Sequence, residues 1–133
     1  MGFLAPHSEK IYAAFRIMTG LLMLQHGCQK LLGWFGGVPE GAMPAPMLYG
    51  VGSIEFFGAA LVAVGFFAAP AAFLLSGTMA FAFLLGHVMR SPSHSLIPIV
   101  NNGELAVLYS WAFLAIATKG SGIWSVDAAR GAK

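Results

Sequence analysis

The chain has 133 residues, of which 58% are hydrophobic and only 9% charged, and its mean hydropathy is +0.77. A soluble domain carries about 25% charged residues, so this composition cannot furnish a water-facing surface, and a disordered chain would be more polar still. The net charge of +2 comes from seven Lys and Arg scattered singly, which offers nucleic acid no basic run, and the single Cys28 rules out an internal disulfide or paired-thiol chemistry.

In chain order, Met1 to Ser8 carries no Lys or Arg, and no small-residue cleavage site follows the first apolar run. That run is therefore expected to be retained rather than removed as a signal peptide. It extends from Ile11 to Leu32; a second runs from Met47 to Phe67, a third from Pro70 to Met89 and a fourth from Asn102 to Thr118. A membrane helix takes about 20 apolar residues, which the first three supply and the fourth nearly supplies. Residues 1–133 thus read as a single all-α integral membrane domain, a transmembrane four-helix bundle of up-down-up-down topology. So few residues separate the second and third spans that they must form a tight antiparallel hairpin, with Pro70 in a first helical turn where its missing N–H is harmless. Ala59 and Ala63, four residues apart, permit close helix packing, either inside the bundle or in a homo-oligomer.

Four spans place both termini on one side. Lys10, Lys119, Arg130 and Lys133 lie there, with Arg16 just inside the membrane, against Lys30 and Arg90 on the other side. The positive-inside rule then puts both termini in the cytoplasm. Trp34 and Phe35 in the first long loop, with Leu96, Ile97 and Ile99 in the third, suit either an interfacial belt or an apolar lid.

Ionisable residues within spans are costly and normally face the bundle interior, so each is a candidate site. His26 lies about 7 Å from the centre of its span and Glu55 about 3 Å, both toward the non-cytoplasmic side, at ~1.5 Å rise per residue. His87 and Glu104 fall roughly 10 Å off centre toward the same side. Every helix thereby contributes one ionisable group to a shared layer. Lys30, one turn from His26, is placed to reach Glu55 or Glu104, and Gln25 and Gln29 form a second i,i+4 pair beside it. Asn101 suits an N-cap and Glu104 a helix first turn. The layer reads either as a binding site or as polar pairs holding the helices in register.

Two His and two Glu have the inventory of a carboxylate-bundle metal site. Neither Glu55 nor Glu104 has a His three residues later, however, and Lys30 is a competing cation, so no metal is expected. A quinone headgroup fits the layer better: Lys30, His26 or His87 can donate to its carbonyl oxygens, and Glu55 or Glu104 can relay protons. Such a ligand also needs an apolar channel for its tail. Dinucleotide, P-loop, haem-attachment and nucleophile-elbow motifs are all missing, so electrons would come from a partner subunit.

The residues so far named resemble the DoxX family of small four-helix membrane proteins. Arg16, His26-Gly27, Gln29-Lys30-Leu31 and Gly33 are similar to its R…HG-x-QKL-x-G pattern, and Glu55, Gly58 and Gly65 to its second-helix E…G…G stretch. His87 matches the histidine ending its third helix. Asn102 to Ala106, and the tail from Gly120 through Trp124-Ser125 to Asp127, resemble its C-terminal signature. The resemblance implies a bacterial-type inner (plasma) membrane protein, associated with oxidoreductase complexes that include a thiosulfate:quinone oxidoreductase. Cys28 falls at the pattern's variable position and inherits no chemistry. Asp127 is expected to fold back and pair with Arg16 at the cytoplasmic surface.

Three functions follow from these readings. The chain is a membrane subunit of an oxidoreductase system binding a quinone or similar small molecule, a non-catalytic scaffold recruiting a soluble or membrane redox partner, or a small-molecule or proton pathway. A pathway needs polar groups through both halves of the bundle, and the cytoplasmic half holds almost none.

Overall fold

The computed structural model describes residues 2–131; Lys133, part of the charge bias above, lies outside them. Among the described residues there are six helices and no strands: α1 (Ser8–Leu32), α2 (Ala45–Val64), α3 (Ala68–Val88), α4 (Pro98–Asn101), α5 (Glu104–Lys119) and α6 (Val126–Ala129). The helix stops are set by left-handed residues. Gly33 ends α1 at φ 69°, and Gly65 ends α2 at φ 71°. At the second stop Gly65 N donates to Val62 O and Phe66 N to Leu61 O, satisfying two carbonyls the helix would otherwise leave bare.

This stop shortens the second apolar run to Val64, and Gly65 to Phe67 form the whole hairpin to α3. Pro70 falls in the first turn of α3, as its chemistry requires. The fourth run also starts later than its hydropathy suggests. Asn102 is left-handed at φ 57°, and Gly103 takes the N-cap position. Asn101 therefore does not cap α5; its Oδ1 accepts from Gly103 N at 2.8 Å and its Nδ2 donates to Ser95 O at 2.8 Å, bracing the corner between α4 and α5.

α1 packs on α2, α2 on α3 and α3 on α5, around a shared core that includes Met23, Val62, Leu75, Met79, Phe113 and Ile116. The α1–α2 contact is close because glycines line it. A Cβ on Gly27 would lie 2.5 Å from the Phe56 backbone, and one on Gly20 2.7 Å from Ala63 N. Ala59 is fully buried, so the Ala59/Ala63 pair serves packing within the chain. α3 and α5 are tied at mid-height by a reciprocal clamp in which Ser76 Oγ donates to Ser110 O (2.8 Å) and Ser110 Oγ to Ser76 O (3.0 Å).

α2 and α3 are long and apolar enough to cross a membrane. All four long helices turn large apolar side chains outward, among them Phe15, Leu22, Phe57, Phe73, Leu108 and Trp111. Apolar surface on this scale is not tolerated on a soluble monomer.

Candidate functional site

At the end of the helices where the two long loops lie, α1, α2, α3 and α5 line a partly open chamber of about 310 Å³ in which a few polar groups meet an otherwise apolar lining. Its central feature is an ion pair: Lys30 Nζ donates to Glu55 Oε2 at 2.5 Å, with side-chain exposures of 13% and 3%. Gly52, one turn before Glu55, makes the pair possible. A Cβ there would come within 2.9 Å of Lys30 Cβ, so glycine lets the lysine stem lie flat on α2 and carry its ammonium to the carboxylate. An ammonium has three donors and this oxygen takes one, leaving two for a ligand.

His26, one turn back along α1, meets Tyr109 of α5 edge-on, with ring centroids 6.1 Å apart. Tyr109 in turn stacks on the buried Phe113 at 5.9 Å, which sets its ring orientation. His87 of α3 has its Nδ1 3.2 Å from Asn101 O. A carbonyl oxygen only accepts, so Nδ1 carries a proton and Nε2 is left as the nitrogen for other partners. The braced α4–α5 corner holds that carbonyl in place: a Cβ on Gly103 would strike both Asn101 Oδ1 and the Phe83 ring at 2.6 Å.

Both Glu55 and His87 sit where their helices widen from i→i+4 to i→i+5 bonding, over Ile54–Gly58 and Phe83–Val88. Such widenings in an otherwise α-helical run recur at functional sites. Beside the chamber lies a second cavity of about 410 Å³ that shares Lys30, Glu55, Ala82 and His87 with it. The ion pair and His87 thus form a common wall between two spaces.

Of the residues singled out in the sequence, His26, Lys30, Glu55 and His87 converge on this chamber. Gln29 does not: its Nε2 donates to Gly37 O at 3.1 Å and anchors the first loop. Gln25 is exposed. Glu104 is also exposed and outside the chamber, lining a shallow outer depression with Trp111 and Ile99, which corrects the expectation of one ionisable group from every helix. The inner face of α5 is set by Ala106, Phe113 and Ile116, and Glu104, two residues before Ala106, is turned about 200° from it. α5 contributes Tyr109 instead, a residue with no charge to mark it in the sequence; its place among the inward positions Ala106, Phe113 and Ile116 is the signal that points to it.

Trp34, Phe35, Leu96, Ile97 and Ile99 are exposed and do not cover the chamber, against the lid expectation. At the loop end Met43 and Pro44 line the second cavity, and nearby Arg90 Nη2 donates to Ala42 O at 2.7 Å. Cys28 is buried and unpaired.

Arg16, at the opposite end, is fully buried rather than reaching for the surface. Its Nη1 donates to Val62 O (2.7 Å) and Ala63 O (2.8 Å), and its Nη2 to Trp124 O (2.8 Å) and more weakly to Ile123 O (3.4 Å). The expected pair with Asp127 is not formed. The guanidinium goes to carbonyls because the C-terminus of α2 presents Ala63 O, the second lone pair of Val62 O and the negative end of the helix dipole. Asp127 accepts from Ser121 Oγ at 2.5 Å, while its backbone N donates to Gly65 O at 3.0 Å. Among the described residues no three His, Cys, Asp or Glu side chains converge as metal ligands.

Residues 11–88 match the DoxX family model. This stretch contains Arg16, His26, Lys30, Glu55 and His87, and leaves Glu104 and Asp127 outside. A protein of Haemophilus influenzae, described only as uncharacterized, is 37% identical over 131 residues, covering 96% of each chain. No solved structure matches.

Proposed function

The chain belongs to the DoxX family and is a membrane protein in contact with the lipid bilayer, and from that premise we propose that it is a four-helix, multi-pass subunit of an oxidoreductase system whose polar chamber binds a quinone headgroup or a similar small molecule. In this reading it sits in a bacterial-type inner membrane, with both termini cytoplasmic and the chamber in the non-cytoplasmic half. The observation that carries the proposal is the Lys30–Glu55 pair, buried in the wall of a chamber that also holds His26, His87 and Tyr109. Its volume of about 310 Å³ falls at the lower end of the ~300–1,000 Å³ typical of small-molecule sites.

The chemistry of the lining suits such a ligand. A quinone supplies a two-electron, two-proton acceptor with a carbonyl oxygen at each end of one ring. The ammonium of Lys30 and the hydroxyl of Tyr109 are donors for those oxygens, and Glu55 and Nε2 of His87 are acceptors for the hydroxyl protons of the reduced form. Partial burial lowers the local dielectric, so each of these hydrogen bonds is worth more than it would be in bulk water. The sequence carries no motif for a redox cofactor of its own, so electrons come from a partner protein in this scheme.

The scaffold reading requires no ligand, and it leaves the two cavities around a costly buried charge pair without a purpose. The pathway reading is opposed by the core below the chamber. Met23, Leu75, Met79, Phe113 and Ile116 are buried there, and the serine hydroxyls are engaged with each other's helices.

The test is mass spectrometry of the organic extract from detergent-purified protein, wild type beside Glu55→Gln. Quinone near one per chain in the wild type and its loss from the variant is the expected result. No quinone in either, with both folded, would overturn the site and leave the scaffold reading.

A further inference from the structure

On its side away from the chamber, the second cavity borders an open groove of about 520 Å³ between α2 and α3, and the two share Met47, Val51, Thr78 and Phe81 as lining. Chamber, cavity and groove thus lie side by side, each sharing lining residues with the next, with the charged groups at the inner end and only apolar side chains and one hydroxyl at the outer. The groove has no charged lining residue, and its one hydroxyl is engaged within its own helix, since Thr78 Oγ1 donates to Leu74 O at 2.9 Å. Nothing in it would recognise a polar ligand.

Two glycines open this groove. Gly50 on α2 and Gly77 on α3 both line it, and a Cβ on either would meet nothing within 4 Å. They differ from Gly20, Gly27 and Gly52, where a Cβ would collide with a neighbour. The packing glycines are explained by close helix approach; Gly50 and Gly77 are not. They sit on the outer face beside the exposed Phe73, Leu74 and Phe81, where larger side chains would fill the space at no steric cost. Over the residues that line it, from Phe73 to Phe81 on α3, the groove is about 12 Å long.

We propose that the groove between α2 and α3, held open by Gly50 and Gly77, takes the hydrocarbon tail of the ligand whose head occupies the chamber. The ligand is then a long-tailed quinone that enters sideways from the bilayer past the Lys30–Glu55–His87 wall. This inference rests on the chamber reading above and adds the ligand's tail and its route. Adjacency carries it: the apolar groove that shares its lining with the cavity at the polar wall is flanked by the exposed, outward-facing Phe73, Leu74 and Phe81.

The experiment compares dissociation constants for a tailless dimethoxy-methyl-benzoquinone and its decyl-tailed form, measured in one detergent for wild type and Gly77→Leu. Partition into micelles is common to both proteins and cancels in the comparison. Thermal melting establishes that Gly77→Leu is folded, and Gly50→Leu provides a second filling from the opposite wall. The expected result is unchanged affinity for the tailless quinone and a loss of roughly tenfold or more for the tailed one, as burial of a few methylenes is removed. A tail preference that survives both substitutions overturns the groove assignment and leaves the chamber intact. No binding of either quinone to wild type overturns the chamber and the groove together.

Discussion

Each end of the molecule buries a cation from α1, and the two are treated in opposite ways. At the end near the termini, Arg16 is fully enclosed and its terminal nitrogens are engaged by four backbone carbonyls. Gly65 holds the turn beneath it: a Cβ there would strike both Ser125 and the guanidinium. Ser125 caps α6 by accepting from Ala128 N, and Tyr12 Oη donates to Gly120 O, so the tail is bound down over the arginine. At the other end, Lys30 meets a single carboxylate and borders two cavities. A buried charge whose terminal nitrogens are all held by main chain is a structural joint, although the Nε of Arg16 itself has no partner among the described residues. A buried charge with unused donors beside open volume is equipped to bind something.

The sharpest way to break this contrast is to remove each cation. Arg16→Ala leaves buried carbonyls without donors and is expected to cost on the order of 5 kcal/mol, seen as failure to accumulate folded protein or a collapse of the melting temperature in detergent. Adding Asp127→Asn should restore nothing, because the two side chains are not paired. A double variant as stable as wild type would show that the charge, and not the carbonyl clamp, is what matters.

Lys30→Met is expected to cost about 3 kcal/mol, since it strands Glu55 in a site that is 2% exposed. Unlike Arg16, this loss is recoverable. Lys30→Met with Glu55→Leu should regain most of the stability while losing bound ligand, and a double-mutant cycle on melting temperature measures the coupling. If the double variant is as unstable as the single, the pair is a structural joint like the one at the other end.

The glycines extend the comparison from charge to shape. Gly27→Ala forces a Cβ into the Phe56 backbone and should cost about 1–3 kcal/mol, whereas Gly77→Ala meets open space and should be neutral or stabilising by up to about 1 kcal/mol. Equal effects on unfolding in a denaturant series would contradict the distinction between packing glycines and groove glycines. The smallest expected effect is at mid-height, where Ser76→Ala removes half of the reciprocal clamp and should cost about 0.6 kcal/mol. A loss several times larger would make the clamp a third polar joint on a par with the two ends.

Four of the chamber's residues were legible in the sequence because charge in an apolar helix is conspicuous, and because alternating helix direction brings His26, Lys30, Glu55 and His87 to one level. The partnership of Lys30 with Glu55 was also legible, as one of two carboxylates in reach. What decided between Glu55 and Glu104 was rotation about the helix axis. That depends on where α5 begins, and the left-handed Asn102 and the brace of Asn101 moved that start to Glu104. Tyr109 was missed for the complementary reason: it carries no charge and becomes a site residue only through the face it occupies. Arg16 shows a further limit, since a sequence displays candidate carboxylate partners as letters and backbone carbonyls not at all.

By itself, the sequence determined the apolar class of the protein, its all-helical composition, the short hairpin between α2 and α3, and the level at which the polar groups gather. These follow from hydropathy, length and the positions of Gly and Pro, which act locally along the chain. Only the tertiary structure decided that the terminal nitrogens of Arg16 are held by main chain, that Lys30 and Glu55 stand between two neighbouring cavities, and that Gly50 and Gly77 open a groove while Gly20 and Gly27 close a contact. Those distinctions depend on what lies across the space from each residue. No local propensity encodes that, because it is fixed only when the helices pack.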